Sequence, residues 1–288
     1  MRHHLSTAMK ESPSVYQKGV TLIELLVGIA IGLMTIAVAM GALIASRGVS
    51  GTISDASQIQ QQASYAFRVM GQQLRQAGSL RLNLAPQKAV TDPIDISDPV
   101  AFETKTADFD PASNSISGKD TPGTGEYKLV TGFRNYTEAV FPSGAQKSLF
   151  RDCLGEEDSA KPTLIESRFI LDNTTHELRC NNQALIRNVA DFQIQYLVQA
   201  NAASGIPTIQ YVNAATAATD PKNIYGIEVC IVLYGDESIQ TPDGSTYTGC
   251  DGNPVNMSNT GSLPINRKNR LHMIFKSVYQ LRSQGLVG

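Results

Sequence analysis

A long apolar run near the N-terminus is the feature that most constrains this chain. From Val20 to Ala45 the residues are almost all Ala, Gly, Ile, Leu, Met or Val, and Glu24 is the single charge. The run exceeds the roughly 20 residues that a helix needs to cross the hydrocarbon core of a bilayer. It therefore predicts one membrane-spanning helix, followed by a much larger polar region.

The charges that flank this run predict its orientation. Arg2, Lys10 and Lys18 precede it, whereas only Arg47 follows it closely. Cytoplasmic flanks of membrane helices carry the excess of Lys and Arg. The leader is therefore expected in the cytoplasm, with the C-terminal bulk of the chain on the opposite side of the membrane.

The overall charge and the cysteines restrict the possible partners and compartments. The net charge is −2, Trp is absent, and no basic block suggests a nucleic-acid groove, so nucleic acid is not expected as a main partner. An even number of cysteines beyond the apolar run fits disulfides in an oxidising compartment, with three possible connectivities. Metal ligation is the competing interpretation, but no pair has CxxC spacing. The four residues are Cys153, Cys180, Cys230 and Cys250.

The helical pattern continues beyond the membrane as an amphipathic segment. Apolar residues recur there at spacings of three and four, which predicts one buried helix face. These residues are Ala56, Ile59, Ala63, Phe67, Met70, Leu74 and Ala77. We expect one helix over residues 20–77, interrupted or bent near Gly48 and Gly51, with Gly78 as its C-terminal stop.

The remaining region predicts an antiparallel sheet packed on that helix. Phe192 to Val198 alternates apolar and polar residues, and the segment around Ile227 to Leu233 and the one after Leu271 do the same. Ser167 to Cys180 indicates a hairpin with its turn at residues 172–175. The chain up to about residue 125 is expected to form loops, and residues 200–223 a surface insertion without a helix.

The hairpin favours sequential disulfides among the possible connectivities. A bond between Cys153 and Cys180 would clamp the hairpin, and one between Cys230 and Cys250 would close the following loop. Each closure contributes about 3 kcal/mol.

No pattern of catalytic or cofactor-binding residues is found. The sequence has no HExxH, GxSxG, Walker A or GxGxxG motif, so no catalytic residue, cofactor or metal is expected and an enzyme is not predicted. His176 and His272 fall in strand-like segments, where a surface or packing role is expected. The spacing of Asp92, Asp95 and Asp98 fits no calcium loop.

The residues around the start of the apolar run resemble the prepilin signal of type IV pilins. The segment reads Lys18-Gly19-Val20-Thr21-Leu22-Ile23-Glu24. The resemblance implies that a prepilin peptidase cuts after Gly19 and that Val20 becomes the N-methylated first residue. A carboxylate within an apolar helix costs about 2.5–3.5 kcal/mol at mid-bilayer and usually has a partner. The expected partner of Glu24 is the Val20 amine of a neighbouring subunit, which makes Glu24 a subunit-docking residue.

Later segments are similar to minor pilins of the PilW type. They include Asp152-Cys153-Leu154-Gly155, the strand end at Leu178-Arg179-Cys180, the segment from Asn188 to Tyr196 and the closing segment from Arg270 to Arg282. The resemblance implies an α+β, type IV pilin-like fold. It divides the chain into a removed leader (1–19), a transmembrane and amphipathic stalk helix (20–77) and a periplasmic or extracellular β-rich domain (78–288).

The resemblance also implies function, partners and location. It indicates a minor pilin that helps to prime pilus assembly and is incorporated near the pilus tip. Its partners would be other minor pilins, the major pilin, a PilY-class tip adhesin, the prepilin peptidase and the inner-membrane assembly platform. It would cross the inner membrane once, with its bulk in the periplasm, and then join the fibre at the cell surface. The sequence does not identify the ligand of the tip, nor does it decide whether the fibres serve twitching, adhesion or DNA uptake.

Two alternatives remain at this point. A J-type minor pseudopilin of a type II secretion system shares the leader and the helix-plus-sheet plan. A single-pass periplasmic enzyme or binding protein with an uncleaved anchor is the other alternative, and retention of residues 1–19 in the mature protein would support it.

Overall fold

One continuous helix follows Thr21 in the computed structural model. The structure describes residues 19–79, 82–83, 91–93, 101–102, 108–156, 163–201, 207–219, 224–239 and 241–281. Helix α1 spans Leu22–Gln76. The predicted interruption near Gly48 and Gly51 is wrong. A glycine costs about 1 kcal/mol of helix propensity but keeps its N–H donor, and no proline lies in the helix to remove one.

Internal contacts divide the chain into two units, Met1–Ser50 and Gly51–Gly288. In the first unit, the described part of α1 displays its apolar side chains to the outside. Val20, Leu22 and Ile23 are 73%, 78% and 70% exposed, and large apolar side chains continue to be exposed as far as Val49. By length and composition, this helix is apolar enough to cross a membrane.

In the second unit, the remaining part of α1 forms one wall of the core. Its buried side chains recur with the helical period, as the sequence predicts: Ile59, Ala63, Ala66, Met70 and Leu74. Of the predicted positions, Ala56 and Phe67 are only half-buried. The amphipathic interpretation of this segment is confirmed.

The helix ends where glycine was expected to stop it. Gly78 has φ of 96°, a left-handed conformation that glycine adopts without steric cost. Its N–H donates to the Gly132 carbonyl at 2.9 Å, and its own carbonyl accepts from the Arg134 N–H at 2.8 Å. The chain is thus joined to a strand within two residues of the helix end.

The rest of the second unit consists mainly of antiparallel strands. They are β1 (Leu82–Asn83), β2 (Ala101–Phe102), β3 (Ile116–Ser117), β4 (Leu129–Arg134), β5 (Thr137–Val140), β6 (Ala145–Ser148), β7 (Leu164–Asp172), β8 (Glu177–Cys180), β9 (Gln183–Ile186), β10 (Val189–Asn201), β11 (Pro207–Val212), β12 (Ile224–Tyr234), β13 (Thr246–Thr248), β14 (Pro254–Asn256) and β15 (His272–Gln280). Short helices α2 (Pro111–Asn114) and α3 (Ala214–Ala217) and a 3₁₀ turn at Ile265–Arg267 complete it.

Two sheets contain most of these strands. One has the order β3-β4-β7-β8-β9 and the other β11-β10-β12-β15, and their neighbouring strands are antiparallel. Phe192, Ile194 and Tyr196 of β10 are buried, and one hydrophobic cluster joins them to the inner face of α1. This confirms the α+β class and the helix-on-sheet arrangement.

The predicted hairpin is present, with β7 and β8 pairing Asp172 opposite Glu177. His176 lies in its turn, outside the strand where it was expected, with φ of 56°. The Asp172 carboxylate accepts hydrogen bonds from the Thr174 and Thr175 backbone N–H groups. This Asx-type turn connects β7 to β8.

Two predicted loop regions contain secondary structure. Within residues 200–223, the described part includes β11, which pairs with β10 from Tyr196 to Asn201, and the short helix α3. Isoleucine, tyrosine and valine in β11 suit an edge strand, and the Asn213 side chain caps α3. Before residue 125, α2 and β3 are formed, and β3 pairs with β4. The expectation of no helix in residues 200–223 is wrong at α3, whereas most described residues of this segment are exposed, as a surface insertion predicts.

Candidate functional site

The start of α1 brings the predicted processing and docking residues together. Gly19, Val20 and Thr21 precede the helix, which begins at Leu22. Val20 is 73% exposed, and the Glu24 side chain is exposed as well. The junction between Gly19 and Val20 therefore lies outside the helix, where its peptide bond is not held by the helical hydrogen-bond pattern.

Thr21 and Glu24 form a capping box at this helix start. The Glu24 N–H donates to Thr21 Oγ1, and the Thr21 N–H donates to Glu24 Oε2, each at 3.3 Å. Thr21 Oγ1 also donates to Glu24 Oε2 at 3.3 Å. The first turn of a helix leaves N–H groups without partners, and this reciprocal arrangement satisfies two of them.

The capping box fixes the Glu24 carboxylate at a defined place on an apolar surface. No salt bridge between described residues involves Glu24. The positive end of the helix dipole favours a carboxylate in the first turn, but only by about 0.3–1 kcal/mol. This is less than the cost of placing a charge within lipid, so a cation from another molecule would add to the stability of the site.

Thr21 is the site residue that sequence reasoning missed. The signal was available, because Thr-x-x-Glu before an apolar run is the sequence pattern of a capping box. The charge of Glu24 predicts a docking role alone, whereas the structure shows that Glu24 also organises the helix start.

The four cysteines form two disulfides in the second unit. Cys153 bonds Cys180 at the end of β8, and Cys230 of β12 bonds Cys250. This is the sequential pairing that the sequence favours. The first bond is attached to the helix by a buried chain of hydrogen bonds: the Cys153 N–H donates to Ser167 Oγ at 3.0 Å, and Ser167 Oγ donates to Gln73 Oε1 at 3.1 Å.

His272 has a packing environment. Its ring stacks on Tyr247 with 4.3 Å between centroids, and its Nδ1 lies 2.9 Å from the Arg270 carbonyl oxygen. Burial, with a smaller effect of the Arg267 and Arg270 charges, lowers the pKa of His272 to about 4. The imidazole is therefore neutral at physiological pH, with the proton on Nδ1 because a carbonyl can only accept.

Metal-ligating side chains are not clustered in the described structure. In the part of the chain that the structure describes, no group of three or more His, Cys, Asp or Glu side chains is placed to hold a metal ion. Of the three aspartates considered for calcium, Asp92 is described, whereas Asp95 and Asp98 lie outside the described residues. The same holds for the leader before Gly19.

Comparisons with known proteins agree with these features. The family model described as Type IV Pilus-assembly protein W matches residues 153–283, a range that includes all four cysteines. The prokaryotic N-terminal methylation motif matches residues 15–40, which include Gly19, Val20 and Glu24. The first of these models thus covers just under half of the chain. No curated protein sequence matches it significantly.

Among solved structures, a type IV-like pilin from Thermus thermophilus is similar to this chain at 14% identity and a TM-score of 0.33. The similarity covers 78% of this chain and 98% of the other.

An exposed apolar helix that starts with a methylation motif and continues into a helix-on-sheet domain defines a type IV pilin-like protein. The family matches support a PilW-type type IV pilin. This is a family of structural subunits that is not known for catalysis. A type IV pilin motif and an apolar N-terminal helix imply membrane anchoring, and a type IV pilin interacts with other pilins and the pilus assembly machinery.

Proposed function

We propose that this chain is a minor pilin that takes part in priming type IV pilus assembly and is incorporated near the pilus tip. Its leader is removed after Gly19, Val20 is N-methylated, and Glu24 docks the subunit to a neighbour. The observation that carries the proposal is the single carboxylate, positioned by Thr21, at the start of an exposed apolar helix that carries the methylation motif.

The charge balance supports docking through Glu24. Cleavage after Gly19 creates an ammonium group at Val20, four residues before the carboxylate in the same chain. A capping box already engages Glu24 with Thr21 in the single chain. In an assembled fibre, the Val20 amine of one subunit and Glu24 of the next would neutralise each other in an apolar environment, where a paired charge is far less costly than an isolated one.

Priming and a place near the tip rest on membership in the PilW family. Pilins without this glutamate can occupy the extreme tip, because no neighbour above them provides an amine to neutralise. Glu24 therefore favours a position below such a subunit. The PilY-class adhesin, the other minor pilins and the inner-membrane assembly platform are the proposed partners of this position.

Mass spectrometry of the mature N-terminus is the first test. Sheared surface fibres and membranes from the same cells are searched for a peptide that begins with N-methylated Val20. Detection of this peptide in the fibres, at low abundance, supports the assignment as a minor pilin. A processed peptide that stays in membranes, together with a secretion defect on deletion, would support a type II pseudopilin instead, and retention of residues 1–19 would contradict both.

Two substitutions separate the docking role of Glu24 from its capping role. Glu24→Gln keeps a side chain that can complete a capping box but removes the charge, whereas Glu24→Ala removes both. If docking needs the charge, both variants lower incorporation into fibres about tenfold or more, as expected for the loss of one partner of a desolvated charge pair. Subunit levels in the membrane serve as the control.

Two outcomes of these substitutions would contradict the proposal. If Glu24→Gln assembles as well as the unaltered protein while Glu24→Ala does not, the residue acts through the helix cap and the docking role is refuted. If neither variant changes fibre number or subunit incorporation, the position below a tip subunit is refuted as well.

A further inference from the structure

A cavity of about 280 Å³ lies in the second unit between two short helices and the four-stranded sheet. Residues around α2 and β3 form one side, and α3 forms the other. Tyr196 of β10 and Ile224 of β12 close the inner end. The cavity is separate from the capping box, and none of the residues discussed for docking lines it.

The lining residues give this cavity a mainly apolar and uncharged character. Its buried wall contains Ile116, Ala214, Ala217 and Ile224, and each is at most 7% exposed. Ser113, Ser117 and Ala218 line it as well and are exposed, so they mark its mouth. No described lining residue carries a charge, so the cavity would favour a neutral occupant, because an ion would lose its hydration without gaining a counter-charge.

The wall of this cavity also contains Tyr196, whose hydroxyl is a polar group without a partner in the described structure. Tyr196 is only 1% exposed, and among the described residues its hydroxyl has no hydrogen-bond partner. Buried polar groups are nearly always paired, because leaving one unpaired forfeits its bonds to water. Burial raises the pKa of Tyr196 far above its ordinary value, with a smaller effect of Asp120, so the hydroxyl keeps its proton and can both donate and accept.

Gly118 packs closely against this hydroxyl. A Cβ atom at Gly118 would lie 2.7 Å from the Tyr196 hydroxyl oxygen and 2.3 Å from the Lys128 carbonyl oxygen. Both Gly118 and Tyr196 line the cavity. The absence of a side chain at position 118 therefore allows the polar end of Tyr196 to lie at this cavity wall.

We propose that this cavity binds a small uncharged molecule that has an apolar body and one hydrogen-bonding group, the latter paired with the Tyr196 hydroxyl. The volume sets the size of the ligand. A dry apolar cavity of about 150 Å³ is enough to hold benzene, and one water occupies about 30 Å³ of liquid. The space thus exceeds the need of a single bridging water and fits one substituted ring or a short branched chain.

Ligand-observed ¹⁹F relaxation with two fluorinated probes tests this proposal on the full processed chain in detergent micelles. The probe 4-fluorophenol has the hydrogen-bonding group, and fluorobenzene lacks it. Tyr196→Phe keeps the ring and removes the hydroxyl. We expect this variant to bind 4-fluorophenol about fivefold more weakly, the effect of one net hydrogen bond, and fluorobenzene with unchanged affinity.

The probes can also dissolve in the detergent micelle. Variants in which the cavity is filled provide the matched control for this background signal. Ala217→Leu places a larger side chain at a buried position of the wall, and Ala218→Leu places one at the exposed mouth. The Ala218 variant is the control to use if the Ala217 variant does not fold. Both are expected to lose saturable binding of the two probes. Their folding is verified by near-ultraviolet circular dichroism.

Three results would overturn the proposal. One is the absence of saturable binding to the unaltered protein up to about 10 mM probe, a range that includes weak millimolar sites. Another is equal binding to the unaltered and cavity-filled proteins. The third is equal binding of 4-fluorophenol to the unaltered protein and to Tyr196→Phe, which would leave the hydroxyl without a role in recognition.

Discussion

At the scale of single residues, His272 shows how burial sets a protonation state. Tyr234 and Tyr247 face its ring, with centroid distances of 5.9 and 4.3 Å. Arg267 and Arg270 lie near enough to disfavour a further positive charge. The imidazole is thus kept neutral by its surroundings, which links the stability of this region to pH.

We predict that His272 makes the second unit less stable in acid. Its pKa is about 4 when folded and 6.5 in the reference state, so the unfolded chain gains a proton first as the pH falls. Stability is therefore complete above about pH 6.5 and declines toward about pH 4, by roughly 3 kcal/mol in total. Urea unfolding at about pH 7.5 and about pH 4 measures this loss.

The comparison variant for this prediction is His272→Phe, which retains a flat ring over Tyr247 and cannot titrate. It should lose about 3 kcal/mol less than the unaltered protein over the same pH interval. Carboxylates whose pKa values are lowered, such as Asp172 and Asp251, contribute equally in both proteins. An identical pH dependence in the two proteins would rule out His272 as the cause.

Several residues of the candidate site can be read from the sequence, and others cannot. Gly19, Val20 and Glu24 follow from a local pattern in which a predicted cleavage site, a single charge and apolar surroundings coincide. Tyr196 could be assigned to the buried face of a strand, because alternation determines the face. The close approach of its hydroxyl to Gly118, which is distant in sequence, and the lack of a hydrogen-bond partner there among the described residues are revealed by no local pattern.

At the scale of elements, the contact between α1 and β15 depends on a residue without a side chain. A Cβ at Gly71 would lie 2.4 Å from the Tyr279 Cε1 atom. The same tyrosine donates its hydroxyl hydrogen to the Phe67 carbonyl oxygen at 2.8 Å. Gly71 therefore lets the ring reach the helix backbone one turn earlier.

We predict that Gly71→Ala destabilises the second unit although alanine is the better helix former. Alanine gains about 1 kcal/mol in helix propensity, but overpacking a closed contact costs about 1–3 kcal/mol and shifts Tyr279. The free energy of unfolding from urea titration should fall by up to about 2 kcal/mol.

Gly48→Ala is the matched control in the same helix, because an added Cβ there meets no atom within 4 Å. It should leave stability unchanged or raise it slightly. If Gly71→Ala behaves like Gly48→Ala, the close approach of Tyr279 does not limit this position.

Element type was predictable where the periodicity was long, and less so where pairing decides it. The buried positions of α1 and the strand from Phe192 repeat over many residues, so their patterns suffice. In contrast, β11 and β3 are short, and each becomes a strand by pairing with a neighbour, β10 or β4. Such pairing joins segments that are far apart in sequence, and short apolar stretches carry little signal of it.

At the scale of the whole molecule, one helix serves two environments. Its first part exposes apolar side chains suited to lipid or to other helices, and its second part buries Ile59, Met70 and Leu74 against the sheets. Full burial of three such side chains amounts to about 5–9 kcal/mol. This is comparable to the net stability of a whole domain, about 5–15 kcal/mol.

We predict that a fragment beginning at Gly51 folds without detergent, whereas one beginning at Gly78 does not. The longer fragment keeps the part of α1 that completes the core, and the shorter one exposes the apolar faces of both sheets. Thermal unfolding followed by circular dichroism should be cooperative only for the longer fragment. Cooperative unfolding of both fragments with equal midpoints would show that the helix adds little to the core.

The junction at Gly78 has a mechanical consequence. Its two hydrogen bonds to the backbone of β4 begin two residues after α1 ends. Tension applied along the helix therefore reaches the five-stranded sheet through Gly78 and is shared with β7, its antiparallel neighbour. A pulling force on the stalk of such a subunit is thereby borne by strand hydrogen bonds that begin next to the helix end.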